Sequence, residues 1–423
     1  MHIPFSRIPL LAASGLPLVF AGADWPQFRG PGSSGVASVT GVPAEWSASK
    51  GILWKSQLPG FGASSPAVLG GKIYVACYSG YGLGGDSPGD PRNLVRHVVC
   101  YGVNGGAKIW DTPFPSQGAE KPYGGYQGLH GFASSTPAVD GDSIYAFLGR
   151  DGVVALSLSG EKKWQVSVGT RTHDWGSATS PVVFENVVMV NASVESGALV
   201  GLDPRTGREL WRAGGINMSW NTPALVAVPG GGSEVVVSSR NELLAFDPAT
   251  GQKLWSCAGI QDYVCPSVVS HEGVVYAIGG RKGTALAVKA GGRGDVTATH
   301  RLWTANKGSN VSSPVYYQGH LYFLHESRGF AYCLNAKTGA TVYEQRLEPR
   351  PKDRIYASPL VADGKIYVVD RSGGTYVLPA KPEFRILAYN APLDDSVFNG
   401  SPVPGGPGKL LLRSDKFLYC IGS

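Results

Sequence analysis

The 423-residue sequence predicts an all-β protein: an eight-bladed β-propeller of four-stranded antiparallel blades, with the last blade closed by an N-terminal strand. Three observations carry the prediction. First, 59 glycines, 30 prolines and 10% aromatic residues stand beside only three methionines, which suits short strands joined by tight turns. The same composition excludes a disordered chain, because aromatic and β-branched residues can build a core. Second, a Ser/Thr/Cys-Pro step followed by an apolar pair recurs at Ser65, Thr136, Ser180, Thr222, Cys265, Ser313, Ser358 and Ser401. Most intervals fall near the roughly 40–45 residues of a propeller blade, and the first is swollen by insertions. Third, the last repeat has three strands, while an unclaimed strand with its own tryptophan, residues 52–58, precedes the first. Sharing one blade between the two ends closes the ring and removes exposed sheet edges.

Taken in order, residues 1–23 read as an export signal. Arg7 is followed by an apolar run from Ile8 to Ala21, and Ala21-Gly22-Ala23 supplies small residues for cleavage. Pro9 and Pro17 interrupt that run, which is shorter than the ~20 apolar residues of a membrane span. The first cysteine is Cys77, so no lipid-carrying cysteine stands at the cleavage point. The expectation is an exported chain, periplasmic or extracellular, neither membrane-spanning nor a lipoprotein. Residues 24–50 form an extended N-terminal segment, and 51–423 form the propeller.

Within a repeat, an apolar first strand follows the proline. A second strand follows, such as Lys72–Ala76 or Lys365–Val369, then a third, such as Leu199–Asp203. Next comes Asp-Pro-x-Thr-Gly (Asp203–Gly207, Asp247–Gly251), with Asn335–Gly339 as a variant. The fourth strand closes on a large aromatic: Trp110, Trp164, Trp211, Trp255 and Trp303, with Tyr343 in the sixth unit and Trp54 in the N-terminal strand.

The Ser/Thr-Pro-apolar start and the Asp-x-x-Thr-Gly-x-x-x-Trp ending resemble the pyrroloquinoline-quinone-type (PQQ-type) propeller repeat, over residues 51–423. Proteins with this repeat include quinoprotein alcohol dehydrogenases and the BamB lipoprotein of outer-membrane assembly. Asp24-Trp-Pro-Gln-Phe-Arg-Gly-Pro31 is also similar to the mature start of many secreted bacterial members. The resemblance implies first a non-catalytic scaffold for an envelope or extracellular protein partner, with no cofactor expected. It implies second a quinoprotein that oxidises an alcohol or sugar with pyrroloquinoline quinone and Ca²⁺. The adjacent cysteine pair of those enzymes is missing here. Were a quinone bound, Trp175 or Trp220 would stack on it and Asp174 or Asp262 would be the base. A third reading is a glycan or small-ligand site at the channel mouth.

Registering the repeats explains most cysteines. Cys100, Cys333 and Cys420 occupy a third-strand position held elsewhere by Ala155, Gly201, Ala245 and Ala287, and Cys77 aligns with Leu148. These four are packing thiols. Cys257 and Cys265 flank a seven-residue loop, and a disulfide between them is an open alternative.

Loops from each fourth strand to the next first strand share a face with the turns between second and third strands. This top face gathers Tyr123, Tyr126, His130, His173, Asp174, Trp175, Trp220, Asn221, Asp262, Tyr263, Arg354, Tyr356, Asp394, Asp395 and Asn399. Convergence of aromatics with a few polar groups is where a ligand is expected, and Ala replacement of Trp175 or Trp220 should spare the fold. Arg150, Arg240, Arg281, Arg328 and Arg371 recur at comparable turns, with Lys282 and Lys416 nearby. They form either a positive rim for a small anionic ligand or solvated turn residues offset by Asp151, Glu326, Asp370 and Asp415. A net charge of +6 on an exported chain argues against nucleic acid. The histidines are scattered, so no metal site is predicted. Gly80–Gly85 matches G-x-G-x-x-G but leads into a Gly/Pro loop, with no helix to receive a pyrophosphate.

Overall fold

Eight separate sheets, each built around four antiparallel strands, are arranged as consecutive repeats. The computed structural model describes residues 24–84 and 87–422, so the predicted export signal lies outside the described residues. Blade 1 comprises Ala67–Leu69, Lys72–Ser79, Val95–Gly102 and Lys108–Pro115. Blade 4 (Ala224–Ala227, Ser233–Ser239, Glu242–Phe246, Lys253–Ala258) gains a fifth, parallel edge strand, Gly294–Asp295. Blade 8 joins Val403–Gly406, Lys409–Arg413 and Phe417–Gly422 to Ile52–Gln57, which closes the ring as predicted. Among the described residues no helix is long and apolar enough to cross a membrane.

The recurring Ser/Thr has a clear structural task. The N–H of each donates to the side-chain oxygen of the equivalent residue in the next blade: Ser65 to Thr136, Thr136 to Ser180, Ser180 to Thr222 and Thr222 to Ser267. Ser267 to Ser313, Ser313 to Ser358, Ser358 to Ser401 and Ser401 to Ser65 complete the circuit, at 2.9–3.0 Å. In blade 5 the member is Ser267 and not Cys265. The Cys265-Pro266 step therefore does not mark the unit, because the hydroxyl that accepts an N–H sets the register and the proline does not. Cys265 stands two residues earlier, on the channel wall.

The fourth-strand tryptophans join neighbouring blades. Trp54, Trp110, Trp164, Trp211 and Trp303 each donate Nε1–H to a carbonyl of the following blade's turn: Val103, Leu158, Pro204, Pro248 and Ala336, at 2.9–3.2 Å. The glycine ending that turn lies flat against the ring. At Gly251, φ is +71° and a Cβ would stand 2.4 Å from Trp211 Cε3, so both conformation and space demand glycine. Blade 5 replaces this turn by an insertion, so Trp255 instead donates to Glu234 Oε2 at 2.7 Å. In blades 1, 8, 6 and 3 the aromatic sits opposite a small third-strand residue: Trp110 on Cys100, Trp54 on Cys420, Tyr343 on Cys333 and Trp211 on Gly201. Those cysteines are packing residues, as their slot demands.

Cys257 and Cys265 are both free thiols, which corrects the disulfide alternative. Cys257 pairs with Leu243 inside the blade 4 sheet and is fully buried, whereas Cys265 faces the channel.

The N-terminal segment is more than an extended tail. Trp25 forms a two-way backbone bridge with Val68 of blade 1, and the Pro26 carbonyl accepts from Val139 of blade 2. Arg29 reaches the Pro314 carbonyl of blade 6, and Val36–Ala37 pairs in parallel with Leu360–Ala362 of blade 7. These partners lie on or just before the innermost strands of four blades, so residues 25–37 cross the channel as a plug. The chain then docks beneath blade 7, with Tyr367 Oη donating to the carbonyls of Val42 and Pro43, before entering blade 8.

Candidate functional site

The plug turns the channel into a cup of about 360 Å³ that opens on the top face. Its floor is Phe28, encircled by seven of the eight ring residues, all but Thr136. One wall is aromatic: Trp175 lies 5.0 Å from Trp220, 4.5 Å from Tyr263 and 5.3 Å from Tyr126, centroid to centroid. Tyr126 is 58% exposed, at the lip. The remaining wall carries Arg281, Asn310, Glu326, Arg354, Tyr356 and Asn399.

The two histidines position the aromatic wall. His130 donates Nε2–H to the Trp175 carbonyl at 2.8 Å, which leaves Nδ1 to accept from Ser134 Oγ at 2.6 Å. Burial lowers its pKa and keeps it neutral for this task. His173 Nδ1 accepts the Trp175 N–H at 3.1 Å, and its ring meets Trp175 and Trp220 edge-on. Trp220 is only 5% exposed and donates Nε1–H to the Gly176 carbonyl at 2.8 Å. Its replacement is therefore expected to cost more stability than that of Trp175, which is the cleaner probe.

The arginine rim does not converge. Arg281 lines the cup but is held by Asp262, whose carboxyl is held at about 2 against the opposing effect of burial by the Arg281 side chain and by the backbone N–H groups of Arg281 and Tyr263. Arg371 lies behind the wall, bonded to Asp353, Asn399 Oδ1 and the Leu129 carbonyl. Arg150 bonds the Ala119 carbonyl beside a separate depression, and Arg328 and Arg240 lie outside the cup. Phe28 and Asn310 were given no role from sequence, and Glu326 entered only as a charge offsetting the arginine turns. Phe28 sits in the N-terminal motif, and the other two flank the strands of blade 6.

Beneath the Trp175 loop lies Glu195, only 2% exposed, whose carboxylate accepts from Ser177 Oγ. Burial raises its pKa from 4.5 to about 7, with Glu120 adding to the shift. The folded state thus holds this proton where the unfolded chain has lost it. Stability falls as pH rises from about 4.5 to 7, by about 3 kcal/mol in total. Glu195→Gln should abolish that slope and raise the melting temperature at pH 8 relative to wild type; parallel pH profiles would refute the assignment.

A quinone–calcium centre was tested against this geometry. Ca²⁺ takes six to eight oxygen ligands. Among the described residues Glu326 is the only carboxylate lining the cup, and its Oε2 already accepts the Asn310 N–H at 3.0 Å. Among the described residues no group of three His, Cys, Asp or Glu side chains is placed to hold a metal. Cys265 stands between Val264 and Pro266, with no adjacent thiol. The donor set does not fit a calcium-bound quinone.

Comparisons with known proteins agree on the fold. BamB from Moraxella catarrhalis matches at 15% identity and a TM-score of 0.60, covering 88% of this chain and 97% of that one. A europium-containing methanol dehydrogenase matches at 10% identity and 0.68, covering 95% and 98%. The quinohemoprotein alcohol dehydrogenase ADHIIG from Pseudomonas putida HK5 matches at 11% identity and 0.60, covering 95% and 80%. Likenesses at these identities speak for architecture alone. No curated protein matches in sequence. The family described as outer membrane protein assembly factor BamB matches residues 91–290 and 292–381, and the chain belongs to this family of PQQ-type repeat propellers.

Proposed function

We propose that this chain is an exported binding propeller, non-catalytic and without a resident cofactor, that holds a ligand or a protruding segment of an envelope or extracellular partner in its top cup. Export follows from residues 1–23 as a cleaved signal, leaving 24–50 to plug and brace the propeller of 51–423. The observation that carries the reading is the blind aromatic cup. Its titratable groups are occupied in holding the wall: His130 and His173 orient Trp175, and Asp262 binds Arg281. Glu326, the acidic group that lines the cup among the described residues, accepts the Asn310 N–H and lies 3.5 Å from His325 Nδ1, so it too is engaged and not held free as the base that general-base chemistry requires. An aromatic pocket with a few converging polar groups is instead suited to recognition.

Trp175→Ala is the test, because Trp175 is half-buried and its replacement opens the wall without removing a core residue. An unchanged melting temperature with ligand or partner affinity reduced at least tenfold is expected, read by tryptophan fluorescence or by capture from envelope extracts. Unchanged capture would place recognition elsewhere. The quinoprotein is the second reading, since the PQQ-type repeat is shared with quinoprotein dehydrogenases. Saturable, Ca²⁺-dependent binding of pyrroloquinoline quinone would establish it in place of the first, and a flat titration would remove it.

A further inference from the structure

The floor of the cup has an electrostatic character that the family resemblance does not anticipate. Each of the eight ring oxygens accepts one backbone N–H, and among the described residues none of these hydroxyls donates in turn. Their protons remain available around the axis, and seven of the eight residues line the cavity. A ring of O–H donors with no acceptor asks for an acceptor-rich group at its centre.

A buried cation stands in the plug beside this ring. Arg29 follows Phe28 directly and is 3% exposed. Its guanidinium donates only to carbonyls: Nε to Ser33 at 3.3 Å, and Nη2 to Ser34 at 3.2 Å and to Pro314, the residue after ring member Ser313. Nη1 has no partner at all. Burial alone lowers its pKa to about 9, with no neighbouring carboxylate acting on it. Buried charges are ordinarily paired. On the wall, the Arg354 guanidinium donates to Tyr356 Oη at 3.1 Å, and its backbone N–H donates to Asp353 Oδ1 at 2.6 Å. Arg281 and Arg371 are paired with Asp262 and Asp353, and among the described residues Glu326 is the one acidic lining group. On the wall Arg354 balances Glu326, while Arg29 beneath the Phe28 floor adds a positive charge with no carboxylate partner among the described residues, so the base of the cup carries a positive excess.

We propose, building on the binding-cup reading, that the ligand is a uronic acid or the uronic acid end of a glycan, carboxylate inward over the hydroxyl ring and sugar face against Trp175. Charge-assisted O–H and N–H donors are about twice as strong toward a carboxylate as toward a neutral oxygen, which sets the inward end. The negative face of an aromatic ring attracts the polarised C–H groups of a pyranose, which sets the outward body. The Phe28 floor blocks passage, so a glycan enters by its end and does not thread through. Asn310 lines the cup, and its Oδ1, which has no partner among the described residues, is the amide oxygen left to accept from a sugar hydroxyl.

The experiment titrates the folded chain with D-glucuronate and D-galacturonate beside D-glucose and D-galactose, followed by calorimetry and tryptophan fluorescence at low and high salt. At least one uronate should bind saturably and at least tenfold tighter than its neutral parent, with the preference shrinking as salt rises. Arg354→Met, on the exposed wall, should cut that preference several-fold while leaving the melting temperature unchanged. Arg29→Met, beneath the floor, should cut it further. Equal binding of neutral and acidic sugars would overturn the proposal while leaving the binding cup standing, as would an acid preference untouched by both substitutions. Absence of binding by all four sugars would also overturn it. The cup reading itself fails only if Trp175→Ala in addition leaves partner capture unchanged.

Discussion

Trp255→Ala is expected to destabilise the protein by about 3–5 kcal/mol, the cost of emptying a buried aromatic site. Trp255 has no exposed surface, and its ring belongs to a core shared by blades 4 and 5, with Val236, Ala245, Val275 and Val288 among its members. Its indole N–H also satisfies Glu234, itself 2% exposed, which accepts from Gly291 N–H at 3.1 Å as well. Removing the ring leaves a cavity and takes a donor from a buried carboxylate, two penalties that reinforce each other. Trp303, partly exposed and bonded only to the Ala336 carbonyl, should cost less on the same replacement. Denaturant midpoints of the two variants measure the difference. Equal losses would mean that the staples act independently of burial.

The second large effect is predicted at Arg96. Its guanidinium donates to Asp151 Oδ2 at 2.6 Å, to the Phe132 carbonyl at 3.1 Å and to Glu120, and the three charged side chains are 4%, 2% and 10% exposed. Asp151 in turn accepts the Gln117 N–H at 3.1 Å. This cluster anchors the long blade 1–2 connection that presents Tyr126 and His130 to the cup. Arg96→Met strands two carboxylates in a dry site and should cost about 3–5 kcal/mol. The triple variant with Glu120→Gln and Asp151→Asn should recover most of the loss, because the penalty comes from unpaired charge. Urea unfolding of the single and triple variants tests both statements. If the triple variant is no more stable than the single one, shape and not charge is what Arg96 supplies.

Much of the architecture was readable because repetition amplifies weak signals. The Asp-Pro-x-Thr-Gly turn is legible since its three polar elements interlock locally: Asp203 Oδ1 accepts from Arg205 N–H, Thr206 N–H and Thr206 Oγ1. Asp247 and Asn335 repeat this pattern. The blade 5 register was misread because Pro266 imitates the repeat step, whereas the structural constraint is a hydroxyl at the axis, held by Ser267. The top-face aromatics were identifiable as a set, but their separate tasks were not. Trp220 and Trp175 look alike in sequence and both line the cup, yet Trp220 is buried and bonded to the Gly176 carbonyl while Trp175 is only half-buried.

The sequence by itself determined the all-β class, the eight blades, the closure through Ile52–Gln57 and the face on which aromatic loops gather. Those features rest on local turn chemistry and on side-chain alternation repeated along the chain. The tertiary structure alone decided which charges are left over. Arg281 finds Asp262 across 19 residues, while Arg29 ends buried among carbonyls, 285 residues from its Pro314 acceptor. It also decided that residues 25–37 plug the channel and turn it into a cup. Pairing and plugging both depend on which distant segments the closed ring brings to its axis, and no local pattern encodes that distance.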